Sequence, residues 1–190
     1  IGRDILARSI YGGQISLLIG ITAVTMMVFV GTAVGVVSGY YGGVWDAITG
    51  RVIEAMLSIP TLLLLLVMAR FFSGKIPQQE LLGRSFSGSV IVIIVIIGLT
   101  SWMQLARIVR STVLSLRESE FVSAAKALGA SDRRIIVSHI LPNTLAPVIV
   151  AATLGVASAI LAEAYISFLG LGVQPPTATW GNMLENARQY

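Results

Sequence analysis

The stretch Glu120-Phe-Val-Ser-Ala-Ala-Lys-Ala-Leu-Gly-Ala-Ser-Asp-Arg-Arg-Ile-Ile-Val-Ser-His-Ile-Leu-Pro-Asn143 is charged, contains Ala and Gly, and lies between two long apolar runs. So much patterned polar sequence between apolar runs marks a loop with a partner to meet. Its local signals predict two short helices. In the first, Phe121, Ala125 and Leu128 recur at helical spacing with Val122 and Ala124 beside them, while Glu120, Ser123 and Lys126 point elsewhere. Gly129 stands where a left-handed residue would end that helix. Ser131 is placed to cap the second helix, and Asp132 suits the positive end of its first turn. Ile135, Ile136 and Ile140 carry the chain back toward the next apolar run. Pro142, with no amide hydrogen to donate, fits a helix boundary or kink. A helix with Ala124 and Ala125 on its surface is slim enough to enter a groove, and Phe121 and Leu128 are its candidate anchors. Periodicity alone suits a partner's groove and the lipid interface equally well.

Composition places the whole chain in a membrane. It is 55% hydrophobic and 12% charged, against roughly 25% charged in soluble domains. From Arg8 to Asp46 there is no intervening Asp, Glu, Lys or Arg. A soluble protein of this size has too little polar sequence here to cover its surface. Without Cys and with a single His, disulfide scaffolds, thiolate metal sites and multi-histidine centres are excluded. The net charge of +4 is small and scattered, which argues against a nucleic-acid partner. There is no G-x-x-x-x-G-K-[ST] phosphate loop. Gly170-Leu-Gly172 lacks the strand–turn–helix setting of a dinucleotide fingerprint. No paired carboxylates stand within the apolar runs, so an integral membrane enzyme is disfavoured.

A helix needs about 20 apolar residues to cross the hydrocarbon core. The predicted spans are 15–38, 55–72, 90–106 and 144–168. Ile and Val are strand formers in water, but an open sheet leaves unpaired edges in lipid, so the expected fold is an all-α polytopic bundle. Arg107, Arg110, Arg117, Lys126, Arg133 and Arg134 crowd one loop, 107–143, which favours a cytoplasmic position for it and, by alternation, for 39–54. Gly31, Gly35 and Gly39 repeat along one face of the first span, either for packing within the chain or for dimerisation. Glu163 sits inside an apolar run, where an ionisable group needs a reason: a transport pathway, or a hydrogen bond to a neighbouring helix end. Arg51 and Glu54 are spaced to pair on a helix. Pro60 is read as setting a kink, Trp180 as an interface anchor, and His139 as interfacial packing. The chain begins at Ile1 in mid-pattern and is read as an internal piece of a longer protein.

The loop resembles the EAA segment of permeases in binding-protein-dependent ABC importers. In that pattern Glu-Ala-Ala is followed by three residues, Gly, nine residues, and Ile-x-Leu-Pro. Ala124, Ala125, Gly129, Leu141 and Pro142 are in register, while Ser123 replaces the Glu and His139 the Ile. Those departures resemble the oligopeptide, dipeptide and nickel branch. Gly2-Arg3-Asp4 with Leu6–Gly20, Ser167-Phe-Leu-Gly-Leu-Gly-Val-Gln-Pro-Pro176, and Trp180-Gly-Asn-Met-Leu184 resemble its C-type subunit. The resemblance implies a type I, MetI-like permease core, with four of an expected six spans in one permease domain covering 1–190. It also implies a non-catalytic role in an inner membrane, bacterial or archaeal. A B-type permease would share the path, an extracytoplasmic binding protein would deliver cargo, and two ATPase subunits would carry ATP and magnesium. This chain would bind no cofactor. Glu120, Phe121, Ala124, Ala125, Leu128, Gly129, Leu141 and Pro142 would couple to an ATPase, with Asp46, Arg51 and Glu54 as a second contact. An ATP-independent secondary transporter, with Glu163 as its one candidate ion or proton site, and a membrane scaffold are the alternatives.

Overall fold

The computed structural model describes residues 5–72, 75, 79–81, 84–174 and 177–187. The motif residues Gly2-Arg3-Asp4 and Pro175-Pro176 lie outside them. Helices dominate: α1 (Ile5–Tyr41), α2 (Gly43–Leu57), α3 (Thr61–Phe72), α4 (Gly88–Arg117), α5 (Glu120–Ala127), α6 (Asp132–Ile135), α7 (Leu141–Phe168) and α8 (Trp180–Ala187). Between α3 and α4 lies one short antiparallel hairpin, β1 (Gln79–Leu81) with β2 (Arg84–Phe86), which pairs Glu80 with Ser85. It adds a detail that the apolar pattern did not carry.

Three helical stretches are long and apolar enough to cross a membrane: Ile5–Tyr41, Gly88–Arg117 and Asp132–Phe168. The bent pair α2–α3 makes a fourth if counted as one span. The expected span 55–72 is not one helix: α2 ends at Leu57 and α3 begins at Thr61. The chain turns by 86° between α2 and α3. Pro60 explains the break, because it donates no hydrogen bond and pushes the preceding Ile59 away from helical backbone. With 12 residues, α3 is about 18 Å long, short of a hydrocarbon core about 30 Å thick. The other helices run past the expected limits, α1 at both ends and α4 as far as Arg117.

The chain divides into two compact units. One gathers α1 up to Thr25, Pro60–Thr100 and the chain from Leu154 onward; the other is Met26–Ile59 with Ser101–Thr153. In the second, the glycine stripe packs within the chain. A Cβ on Gly31 would lie 2.9 Å from the Trp102 carbonyl oxygen, one on Gly35 2.7 Å from Val109 Cβ, and one on Gly39 2.9 Å from Val113 Cβ. The α1 backbone thus rests directly on an α4 ridge whose Leu105, Val109 and Val113 are fully buried. Ile53, Met103 and Ala106 extend this core beneath α2.

Candidate functional site

The 118–142 segment belongs to the second unit and folds as its local signals require. Helix α5 begins after Ser119, with Glu120 in its first turn and Lys126 in its last, both favourable to the helix dipole. It ends in a Schellman motif. Gly129 has φ +79°, its N–H donates to the Lys126 carbonyl, and the Ala130 N–H donates to the Ala125 carbonyl over 3.0 Å. Ser131 precedes α6 in extended conformation, though its hydroxyl makes no capping hydrogen bond.

One side of α5 is closed and the other open. Val122 is fully buried and fixes the rotation of the helix. Phe121 is 43% exposed and Leu128 89% exposed, and Ala124 is exposed between them. Ala125, expected at the centre of the outward face, is half-buried. The outward stripe is Phe121, Ala124 and Leu128. The Phe121 ring stands 6.2 Å from the His139 ring, which accounts for His139 as packing. Leu141 is half-buried and Pro142 exposed.

Pro142 neither ends nor breaks a helix. It is the second residue of α7, and the five residues that precede α7, Ile136–Ile140, form a π-turn. The wider i→i+5 pattern accommodates a proline that has no N–H and crowds the carbonyl one turn earlier. The Asn143 side-chain amide donates to the His139 carbonyl, covering one of the carbonyls the turn exposes.

Polar contacts fasten this segment to its unit. Tyr40 Oη donates to Asp132 Oδ1 over 2.6 Å, and Lys126 Nζ lies 5.7 Å from the Tyr40 ring centre. Arg117 Nη1 donates to the Tyr40 carbonyl, one of the last carbonyls of α1 without a helical partner. Nearby, Arg110 holds Asp46 in a bidentate pair, Nε to Oδ1 and Nη2 to Oδ2. Asp46 is thus engaged within the chain. Among the described residues the ion pairs are Arg110–Asp46 and Arg117–Glu118; the helical pairing expected of Arg51 and Glu54 is not formed, and both side chains are exposed.

Glu163, in the first unit, has an entirely different setting. It is fully buried and accepts hydrogen bonds from Ser16 Oγ (3.2 Å), Ser167 Oγ (2.6 Å) and Thr179 Oγ1 (2.8 Å). Each hydroxyl in turn accepts a backbone N–H: Trp180 on Ser16, Val173 on Ser167, Asn182 on Thr179. Thr179 and Asn182 form a reciprocal cap at the start of α8, because the Asn182 side-chain oxygen accepts the Thr179 N–H. Gly172 and Gly181 let backbone press onto this cluster; a Cβ on Gly181 would lie 2.6 Å from Ser167 Cβ. Trp180 donates from Nε1 to the Ser9 carbonyl and lies against Gly13, with its side chain still partly exposed.

Of the partners of Glu163, Ser167 was within reach of sequence reasoning, one helical turn away. Ser16 is 147 residues distant and carries no local signal. Among the described residues no group of His, Cys, Asp or Glu is placed to hold a metal ion. The open stripe on α5 offers apolar docking and no acid–base chemistry.

The family model for the binding-protein-dependent transport system inner membrane component matches residues 31–188, which includes the whole 118–142 segment. The chain belongs to this family. A dipeptide transport system permease protein, DppC, of Alkalihalophilus pseudofirmus is 43% identical over 189 residues, covering 100% of this chain and 58% of that protein. An oligopeptide transport system permease protein, OppC, of Haemophilus influenzae is 40% identical over 185 residues, covering 97% of this chain and 55% of that protein. The chain therefore spans little more than half the length of these curated relatives. Among solved structures, the MetNI methionine ABC transporter in inward-facing conformations shares the fold, with a TM-score of 0.68, 18% identity, and coverage of 98% of this chain and 88% of that one. An amino acid ABC transporter with histidines gives a TM-score of 0.65 at 16% identity, over 100% of this chain and 84% of that one.

Proposed function

We propose that this chain is part of a C-type permease subunit of an ATP-driven importer, and that the α5 stripe docks an ATPase subunit. Membership of the binding-protein-dependent family supports the transport role. The observation that carries the docking role is Leu128, 89% exposed at the end of a helix stopped by a fixed Gly129 cap. A large apolar side chain held out by a rigid turn is preorganised to be buried by a partner.

In this reading 39–54 and 107–143 face the cytoplasm, and a B-type permease completes the path across a bacterial or archaeal inner membrane. An extracytoplasmic binding protein delivers cargo, and two ATPase subunits carry ATP and magnesium. Peptides are the cargo class, supported by the dipeptide and oligopeptide systems of the relatives. The secondary-transport alternative draws no support from Glu163, which is fully buried and already held by three hydroxyls.

The test uses the full-length permease expressed with its partner subunits. Ala124→Trp puts bulk into the open stripe and should abolish recovery of the ATPase subunits on purification. Leu128→Ala should weaken that recovery, as truncating a buried anchor costs about 2 kcal/mol. If α5 instead rests on lipid, Trp at 124 is tolerated or strengthens membrane association, since aromatic rings favour that interface. Normal ATPase recovery with Ala124→Trp overturns the docking reading.

A further inference from the structure

Helices α5 and α6 present the open stripe, yet they are tied to the last turn of α1 by very little. Val122 and Ile135 are buried, and non-directional packing of this kind tolerates sliding. Directional fastening is sparser. Among the described residues, Tyr40 Oη to Asp132 Oδ1 is the one side-chain hydrogen bond between segment 118–135 and α1. It is short, at 2.6 Å, and charge-assisted. It meets α6 at Asp132, the first residue after the Ser131 turn.

Tyr40 is itself braced. Its carbonyl accepts Arg117 Nη1 over 3.1 Å, and its ring packs edge-on against Tyr41 at 5.2 Å. Lys126 of α5 lies over the same ring. Tyr40 is only 6% exposed, although its oxygen reaches the loop. Tyr40 thus collects contacts at the end of α1, from α5 and α6 through its side chain and from α4 through its carbonyl. Resting on the docking role above, we propose that Tyr40 and Asp132 are positioning residues for energy coupling, forming the strut that delivers displacement of α5–α6 to the last turn of α1.

A strut differs from a docking contact in what its loss does. Without the Tyr40 hydroxyl, the stripe of Phe121, Ala124 and Leu128 keeps its helix and its Gly129 cap, so an ATPase can still dock. Movement of that ATPase then slides α5–α6 on the non-directional packing of Val122 and Ile135 instead of moving α1. Coupling of this kind requires an element whose two arrangements both ends bias, so it is read from linked function and not from binding alone.

The experiment takes the full-length transporter with both permeases and both ATPases in proteoliposomes and measures ATPase recovery and the stimulation of ATP hydrolysis by the cognate binding protein. Tyr40→Phe keeps the ring and removes the hydroxyl. It should leave ATPase recovery within about twofold of the parent and cut stimulation by about tenfold, the shift expected when one state loses a charge-assisted hydrogen bond. Asp132→Ala should do the same, and Asp132→Asn, which keeps an acceptor oxygen, should retain more stimulation than Asp132→Ala. The double variant Tyr40→Phe/Asp132→Ala should be no worse than either single, because both break one bond. Unchanged stimulation, additive losses, or loss of ATPase recovery in step with stimulation each overturn the strut. Leu128→Ala run alongside separates the two ideas: full ATPase recovery in that variant removes the docking reading, whatever Tyr40→Phe does.

Discussion

Glu163 and Leu128 break the same rule in opposite directions. The first is a carboxyl group buried to 0% exposure; the second is an aliphatic side chain left 89% exposed. Glu163 is reconciled inside the chain, where three hydroxyls donate to it and three backbone N–H groups donate to those hydroxyls. Among the described residues none is folded over Leu128, and a fixed turn holds it out. A costly group that is fully satisfied points to architecture, whereas one left unsatisfied points to a partner.

The largest expected effect breaks the first half of that contrast. Glu163→Leu removes the common acceptor and leaves the Ser16, Ser167 and Thr179 hydroxyls buried without it. Each unsatisfied buried donor costs about 1–3 kcal/mol, so the loss should total about 3 kcal/mol or more. Thermal unfolding in detergent should drop clearly. Glu163→Gln, with one carbonyl oxygen remaining, should fall in between. A Glu163→Leu protein of unchanged thermal stability that fails only in transport would return Glu163 to the pathway.

A smaller effect compares the two regions directly, because the same Schellman turn ends both α5 and α7. Gly129 has φ +79° and Gly170 φ +78°. At Gly170 the Gly170 and Leu171 N–H groups donate to the Ser167 and Ile166 carbonyls. A side chain at Gly129 meets nothing within 4 Å, and one at Gly170 lies 3.4 Å from Glu185 Oε1. Valine in either place therefore bears mainly the left-handed backbone cost of about 1–2 kcal/mol. The consequences should differ. Gly170→Val should lower thermal stability, because that turn leads into the Glu163 cluster, while Gly129→Val should lower ATPase recovery more than stability. Equal profiles would show that the cap on α5 has no special bearing on docking.

Legibility followed the distance over which each feature is decided. Gly129 and the short helix α5 that it ends are set by neighbouring residues, and the sequence carried them; the second short helix instead runs on past Pro142 into α7. The helical character of the spans followed from apolar length and from the cost of an open sheet edge in lipid. Of the two alanines expected on the surface of α5, Ala124 is exposed and Ala125 half-buried, because burial of Val122 sets the rotation and eight residues hold too little pattern to reveal it. Pro60 announced a kink, but nothing local sets its 86°. Glu163 advertised a need for partners without naming Ser16 or Thr179, which arrive from distant segments. Asp46 likewise found Arg110, 64 residues away, where sequence spacing suggested only a local pair between Arg51 and Glu54.

The smallest expected effect concerns that unformed pair. Arg51 and Glu54 stand one turn apart on α2, both exposed, and the ion pair that spacing allows is absent. Even when formed, such a pair adds only about 0.3–0.5 kcal/mol to a helix. Arg51→Ala and Glu54→Ala should each leave thermal stability within about 0.5 kcal/mol of the parent. That neutrality makes them clean probes of the second contact. With folding untouched, reduced ATPase recovery reports a lost contact with a partner, and its sensitivity to salt reports that the contact is ionic. The Asp46→Ala variant lacks this clarity, because it also leaves the Arg110 guanidinium without its carboxylate. If Arg51→Ala and Glu54→Ala leave stability and recovery both unchanged, the exposed charges of α2 are a solvated face. ATPase docking then rests on the Phe121, Ala124 and Leu128 stripe alone.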